Sequence, residues 1–186
     1  LESVIVSKIN PKDLIIGDKN AILIATRVLG YGSDYTVKID GKLHTIDISE
    51  LENKVFDKSL IEPGKNEFSF VLPHSNTPIT YKILNGHDES KIERELKGLK
   101  KINKNSSPEA STRLKYTLTS VNGETETKDI RDFVDNYFLA RDTRAFREHL
   151  RNTQPDVDLS VVLDSGEEVL VPIGLSFFWP DLEDRS

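Results

Sequence analysis

Residues 35–48 read YTVKIDGKLHTIDI, a pattern that predicts a β-hairpin. Apolar and polar residues alternate up to Ile39, as they do in a strand with one buried face. The dipeptide Asp40-Gly41 follows and favours the tight turns that join antiparallel strands. Leu43 to Ile48 then supplies the returning strand. An antiparallel hairpin near the start of the chain is therefore the first element that the sequence establishes.

A helix is predicted immediately before this hairpin. Asp18 has the side chain of an N-cap, and Gly30 and Gly32 supply a C-terminal stop. The apolar residues between them occupy nearly every side of a helix: Ala21, Ile22, Leu23, Ile24, Ala25, Val28 and Leu29. A helix that is apolar all round belongs in a protein core. We therefore expect this helix to be central to the fold and among its most buried parts.

Two further hairpins are predicted from alternating apolar residues and turn signals. The first has Phe68, Phe70 and Leu72 on one strand and Ile79, Tyr81 and Ile83 on the other, with Pro73 and Pro78 at the edges of the loop. The second has Val157, Leu159, Val161 and Leu163, then the turn Asp164-Ser165-Gly166, then Val169, Val171 and Ile173. Proline has no N–H to donate to a strand ladder, so prolines beside a loop end the pairing there.

The section between these hairpins is predicted to be mostly helical. The first of four helical segments is opened by Gly86-His87-Asp88 and has Ile92, Leu96 and Leu99 on one face, and the second has Ser106 and Glu109 at capping-box spacing before Leu114, Leu118 and Val121. The third is capped by Thr127 and has on one face Ile130, Phe133, Val134, Tyr137 and Phe138. The fourth is short, is capped by Asp142 and contains Phe146 and Leu150. Pro155 marks the end of this section.

Hairpins at both ends and helices in the middle predict an α+β fold rather than a wound parallel sheet. We expect two to three antiparallel β-hairpins around the central apolar helix, with a mostly helical middle section. A chain of 186 residues is long enough to bury a core of its own. We expect a single domain over residues 1–186, with a possible sub-boundary near residues 86–108.

Composition excludes several functional classes. The chain has no cysteine, so it has no disulfide framework and no Cys-ligated metal site. The net charge is −6, and both signs are spread along the chain, which argues against a broad nucleic-acid surface. No apolar run approaches the length of a transmembrane helix. We expect neither nucleic acid nor a membrane as a partner, and the composition fits a reducing cytoplasm.

The chain contains no methionine and begins with Leu1-Glu2-Ser3-Val4. A natural reading frame begins with methionine, so we expect an N-terminal segment of the full-length protein to be missing here. No signal peptide is visible in the first residues.

No motif for catalysis or metal binding is found in the sequence. None of the four histidines stands at metal-ligand spacing, and no serine lies in G-x-S-x-G. Gly30-Tyr31-Gly32 follows a helix, whereas phosphate-binding loops precede one. The carboxylates Asp156, Asp158, Asp164, Glu167 and Glu168 lack the spacing of a calcium loop and are interpreted as a solvated strand face. We expect no cofactor, no catalytic residue and no stoichiometric zinc.

Three consecutive aromatic residues near the C-terminus suggest a site for a partner. Phe177, Phe178 and Trp179 precede Pro180, and in a strand Phe178 points opposite to its two neighbours. One aromatic face therefore needs cover, either from a helix of the same chain or from another protein. Our hypothesis is that Phe177, Phe178, Trp179 and Asp181 contribute to partner binding.

The sequence resembles a family of T4-like bacteriophage proteins described as baseplate hub components or as chaperones of hub assembly. The resemblance rests on segments in one order along nearly the whole chain: residues 18–32 with Asp34-Tyr35, Asn66-Glu67-Phe68, Leu72-Pro73, Gly86-His87-Asp88-Glu89, Thr112-Arg113-Leu114-Lys115, Ile130-Arg131-Asp132-Phe133-Val134, residues 142–147, Pro155-Asp156-Val157-Asp158, Pro172-Ile173-Gly174 and residues 177–181. The family commonly carries cysteine pairs near the tips of its first and last hairpins. Here Asp40-Gly41-Lys42 and Asp164-Ser165-Gly166 occupy those positions.

The resemblance implies a role in protein–protein assembly of the phage tail hub, with other tail and baseplate hub proteins as partners and no catalysis. It places the protein in the host cytoplasm during assembly, in the tail baseplate of the virion, or in both. Two alternatives remain open. One is a peptide-binding module of a non-phage system that recruits a strand to a hairpin edge. The other is a small hydrolase, which would need titratable groups that converge in one pocket.

Overall fold

The computed structural model describes residues 9–39, 41–56, 62, 64–102, 108–163, 166–173 and 177 of the chain. Within them the protein has the predicted α+β fold, with five α-helices and three small antiparallel sheets. The helices are α1 (Ile16–Tyr31), α2 (Gly86–Ile102), α3 (Glu109–Thr117), α4 (Thr127–Asp132) and α5 (Ala140–Thr153). The strands are β1 (Asp34–Ile39), β2 (Lys42–Asp47), β3 (Phe68–Val71), β4 (Pro78–Tyr81), β5 (Leu118–Val121), β6 (Ser160–Val162) and β7 (Glu168–Leu170).

Contacts within the chain group it into two compact units. The first contains Ile16–Lys54 and the described residues of Leu1–Pro11 and Pro155–Ser186. The second contains Lys12–Ile15 and Val55–Gln154. The stretch 86–108, where the sequence suggested a sub-boundary, lies inside the second unit.

The first unit is built from two of the predicted hairpins and α1. β1 pairs antiparallel with β2, with Tyr35 opposite Ile46, and Gly41 takes a φ of +81° in the turn, as the sequence predicts for this position. β6 pairs antiparallel with β7, with Val161 opposite Val169. The buried members of the core are Ile24, Tyr35, Ile46, Ile48, Val157, Leu163, Val171 and Phe177.

The position of α1 differs from the expectation of a central, buried helix. The helix begins at Ile16, so Asp18 lies in its first turn rather than at its N-cap. Ile24 is buried in the core, but Leu29 is 88% exposed. The helix therefore packs along one side of the unit and leaves its other apolar side in solvent. Its composition alone predicted more burial than the two small hairpins can provide.

Gly17 and Arg27 position α1 in the first unit. A Cβ added at Gly17 would lie 2.1 Å from the carbonyl oxygen of Pro155, so only glycine allows this close approach. The buried guanidinium of Arg27 donates to the carbonyl oxygens of Gly32 and Asp34 at 2.9 and 3.2 Å. These bonds hold the connection from α1 to β1.

The second unit has a three-stranded antiparallel sheet in the order β3-β4-β5. The predicted hairpin forms, with Phe68 opposite Tyr81. The third strand corrects a prediction, because Leu118 and Val121 were expected to continue the helix that contains Leu114. The helix ends at Thr117, and the chain then pairs with β4. Leu118, Ser120 and Val121 are buried there, so pairing and burial outweigh the helical spacing.

Helices α3, α4 and α5 pack against this sheet through the core of the unit, and α2 contacts α3. The core of the unit consists of Leu72, Ile79, Tyr81, Leu114, Leu118, Val121, Ile130 and Phe146. Arg131 forms two hydrogen bonds to the carboxylate of Glu95, at 2.8 and 2.6 Å, and Arg113 binds Glu89 in the same two-pronged way. Paired guanidinium–carboxylate contacts of this kind fix orientation as well as adding energy.

Two further predicted N-caps are wrong. Glu126 rather than Thr127 precedes α4, and its side chain makes no capping bond. Asp142 lies inside the first turn of α5, where it is fully buried. Its carboxylate accepts hydrogen bonds from the backbone N–H groups of His74 and Ser75 at 2.8 and 3.0 Å. Asp142 therefore holds the loop between β3 and β4 instead of capping its own helix.

Candidate functional site

A groove of about 710 Å³ opens in the first unit between β2 and β6. Its volume lies within the range typical of ligand-binding pockets. Consecutive residues line it on each side, Leu43–Asp47 on β2 and Ser160–Leu163 on β6 and just after it. Successive side chains of a strand point to opposite faces of its sheet, so a groove on one face would be lined by every second residue. A lining of consecutive residues therefore indicates that the groove follows the strand edges.

β2 presents an unpaired backbone edge to this groove. The N–H of Ile48 donates to the carbonyl of Ser33 at 3.0 Å, which marks residues 33 and 48 as a hydrogen-bonded pair. Hydrogen-bonded and non-bonded pairs alternate along an antiparallel ladder. The register therefore makes Leu43 and Thr45 non-bonded positions whose N–H and C=O groups point away from β1. Among the described residues, no other strand pairs with this edge.

β6 presents a second unpaired edge. Val171 donates its N–H to the carbonyl of Leu159, and Leu163 donates to Glu167, so these are the hydrogen-bonded positions of the second hairpin. Hydrogen-bonded and non-bonded positions alternate along the strand, so Val162, next to Leu163, is a non-bonded position. Its N–H and C=O groups point away from β7. β6 has no strand neighbour except β7 in the described part of the chain. Within the described part of the chain, the groove is thus bordered by two strand edges that have no strand partner.

One end of the groove is acidic. Asp47 ends β2, Asp158 precedes β6, and the carbonyl of Glu52 accepts the N–H of Asp158 at 2.8 Å, which brings these carboxylates to one end together with Glu50. None of the described lining residues is Lys or Arg. Lys54 lies outside the groove and contacts Asp156 at 3.7 Å. This end of the groove therefore favours cationic groups.

Hydrogen bonds keep two of these carboxylates ionised. Donation from the Ser49 hydroxyl, and then from its backbone N–H, lowers the pKa of Asp47 below its ordinary value. The Ser160 hydroxyl and backbone N–H lower the pKa of Asp158 in the same way. A hydrogen bond to the charged form favours that form. Both groups carry negative charge at neutral pH.

The other end of the groove is apolar. Leu43 and Val162 are 70% and 68% exposed, and Ile46 and Leu163 are buried in the core beneath. Exposed aliphatic residues beside free strand edges are unusual, because natural edges carry charge or proline to prevent association. The groove therefore offers both backbone hydrogen bonds and apolar area to a bound segment.

The structure places Phe177, one of the four predicted partner-binding residues, inside the first unit. Its side chain is fully buried, and its ring meets Tyr35 edge to face with the centroids 5.0 Å apart. Phe177 therefore contributes to the core. Of the two alternatives that the sequence left open, its ring is covered by the same chain and not by another protein. Phe178, Trp179 and Asp181 lie outside the described residues.

The acidic residues near the last hairpin have separate structural partners. Asp156 accepts a hydrogen bond from the side chain of Asn20 at 3.0 Å, and Asp158 is held by Ser160. Asp164 lies outside the described residues. In the part of the chain that the structure describes, no three His, Asp or Glu side chains come together as ligands for a metal ion.

Of the histidines, His149 has the most constrained surroundings. Its Nε2 lies 2.8 Å from the hydroxyl oxygen of Tyr81, and its ring stacks on Phe70 with centroids 4.2 Å apart. Burial lowers the pKa of His149 below its ordinary value. His44 lines the groove, and His87 contacts Asp13 in the second unit at 3.0 Å. The contacts of His149 with Tyr81 and Phe70 give it a structural role.

Sequence reasoning did not identify the groove residues. Leu43, Thr45 and Val162 were recognised as strand residues, but nothing in the sequence says which edge of a hairpin stays unpaired.

No described helix has the length and apolar character needed to cross a membrane. No protein-family profile matches the chain, and no curated protein or solved structure is significantly similar to it.

Proposed function

We propose that this protein acts by protein–protein association in building the tail baseplate hub of a T4-like bacteriophage, as a hub component or as a chaperone of hub assembly. The resemblance of ordered segments along nearly the whole sequence supports the phage role. The groove with two free strand edges supports the mode of action, because unpaired edges are templates for pairing with another chain.

In this proposal the protein binds and holds its partners and makes or breaks no covalent bond. The chemistry available at the groove is hydrogen bonding from backbone groups, apolar contact with Leu43 and Val162, and attraction of cations by the acidic end. These are the interactions from which assembly interfaces are built. The partners are other tail and baseplate hub proteins, met in the host cytoplasm during assembly or retained in the baseplate.

The same groove also fits the alternative of a peptide-binding module in a non-phage system. Free strand edges that recruit a peptide are the basis of that class. The two functions differ in their partners, since only the phage role requires affinity for hub proteins.

Binding to purified proteins tests the proposal. The chain is mixed with each hub protein of the encoding phage, and complexes are detected by size-exclusion chromatography with light scattering. We expect co-elution at a defined stoichiometry with at least one hub protein and none with the major capsid protein, which is the control. Elution of the chain alone in every mixture would contradict the proposal.

A further inference from the structure

The two edges of the groove offer complementary sets of backbone groups. β2 contributes the N–H and C=O of Leu43 and Thr45, and β6 contributes those of Val162. The N–H of Ser160 is already taken by Asp158 at 3.0 Å, but its C=O is not directed at β7. An extended chain between the two edges would find hydrogen-bond donors and acceptors on both of its sides.

We propose that the groove between β2 and β6 binds an extended segment of a partner protein as an added β-strand, with lysine or arginine at the acidic end and β-branched apolar residues at the other. The bound strand would join the two hairpins into one sheet. This inference rests on the proposed assembly function and names the chemistry of the partner segment.

The charge at the groove decides between possible occupants. A second copy of this chain carries a net charge of −6, and its own acidic residues would meet Asp47, Glu50 and Asp158. Like charges placed in contact are destabilising, whereas a basic segment gains attraction at the same place. The apolar end beside Leu43 and Val162 suits residues with high strand propensity. A basic, strand-forming segment of a different protein is therefore favoured.

The hairpin provides a matched pair of backbone variants. Thr36 and Thr45 lie opposite each other on β1 and β2, at non-hydrogen-bonded positions, and their hydroxyl oxygens are 3.4 Å apart. Proline at either position removes a backbone N–H that points away from the partner strand. It also removes the contact between the two threonine hydroxyl groups, so this loss is the same in both variants. Only Thr45 lines the groove. Thr45→Pro is the test variant, and Thr36→Pro is its control.

A second pair of variants changes only charge. Glu50 and Glu52 are exposed at the acidic end, so Glu50→Gln with Glu52→Gln removes two charges without disturbing the core. Glu126→Gln with Glu148→Gln removes two exposed charges from the second unit and is the control. This pair keeps the test decisive if either proline variant unfolds.

Binding of synthetic peptides by fluorescence anisotropy is the measurement. The probe has four alternating valine and threonine residues followed by two lysines. One comparison peptide ends in two glutamates, and another keeps the lysines but has proline at alternate positions so that it cannot pair as a strand. Circular dichroism checks that each variant is folded.

We expect only the lysine strand peptide to bind, and about a five- to tenfold loss of affinity in Thr45→Pro and in the Glu50/Glu52 variant, with the two controls within about twofold of the parent. Equal binding of the proline-containing lysine peptide would show attraction by charge alone and would overturn strand addition. Absence of binding by all peptides would also overturn it.

The hub proteins separate failure of this inference from failure of the proposed function. If hub binding persists in Thr45→Pro and in the Glu50/Glu52 variant, the hub proteins use another surface and the groove inference fails alone. If the parent chain binds no hub protein but still binds the lysine strand peptide, the assembly function fails while the groove retains its specificity.

Discussion

Thr36 and Thr45 face each other across the first hairpin, and each directs its backbone N–H away from the other strand. The two positions are alike within the hairpin, yet only Thr45 lines the groove. A hairpin in a larger sheet would have a neighbour at one of its edges. Among the described residues, β2 and β6 each leave an edge unpaired at the same groove, and the proposed function depends on this arrangement.

Charge placed on α1 should have opposite effects on its two sides. Ile24→Asp puts an unpaired carboxylate into the core, and we expect loss of soluble expression or destabilisation by about 3–5 kcal/mol. Leu29→Asp is the control, because Leu29 is 88% exposed, and this variant should melt within a few degrees of the parent. Thermal unfolding followed by circular dichroism measures both. A stable Ile24→Asp variant would contradict the burial of this face.

Phe177→Ala should reduce the stability of the isolated chain. The side chain is fully buried against Tyr35, and loss of a core aromatic typically costs about 3–5 kcal/mol. Tyr137→Ala removes an exposed aromatic and serves as the control. Urea unfolding compares the three proteins. Equal midpoints for the parent and Phe177→Ala would contradict the core position.

For Phe178 and Trp179, a role in partner binding stays a prediction. We expect that Phe178→Ala or Trp179→Ala weakens association with hub proteins while the melting temperature stays within a few degrees of the parent. Light scattering of the mixtures and thermal unfolding of the isolated variants measure the two effects. If both variants bind normally, the C-terminal aromatics have no part in the interface.

Asp142→Asn should destabilise the protein and reduce its acid sensitivity. Burial alone raises the pKa of Asp142, but hydrogen bonds from His74 and Ser75 outweigh this and lower it below the ordinary value near 3.8. The carboxylate therefore stabilises the fold above that pH, and this contribution is lost as the pH falls through the folded-state pKa. Loss of one of the two bonds should cost about 1–3 kcal/mol at neutral pH. Glu148→Gln, an exposed change on the same helix, is the control, and equal urea midpoints for both variants would contradict this role.

His149 should make stability fall at mildly acidic pH. Burial lowers the pKa of His149 below 6.5, so the unfolded chain binds a proton more readily than the folded one. Protonation of His149 therefore leaves the free energy of unfolding unchanged above pH 6.5 and decreases it below that pH. His149→Gln should flatten this decrease between pH 7.5 and 5.5. An unchanged pH dependence in His149→Gln would show that the ring near Tyr81 does not titrate as described.

The sequence predicted the hairpins because local chemistry determines them. Asp40-Gly41 predicted the first turn, in which Gly41 takes a positive φ, and Pro73 and Pro78 predicted the limits of the second. It failed at Leu118, where helical spacing continued from Leu114 but the segment Thr117 to Val121 is rich in β-branched residues, a signal for the strand that forms. The exposure of Leu29 and the edges beside Thr45 and Val162 depend on tertiary packing, so no local pattern reveals them.

We propose that this protein is needed to build the phage baseplate hub. Deletion of its gene from the encoding phage, followed by electron microscopy of infected cells, tests this most directly. We predict heads without functional tails and baseplates without a hub, with complete tails restored when the parent chain is supplied from a plasmid. Normal numbers of complete, infectious tails in the deletion strain would contradict the proposed function.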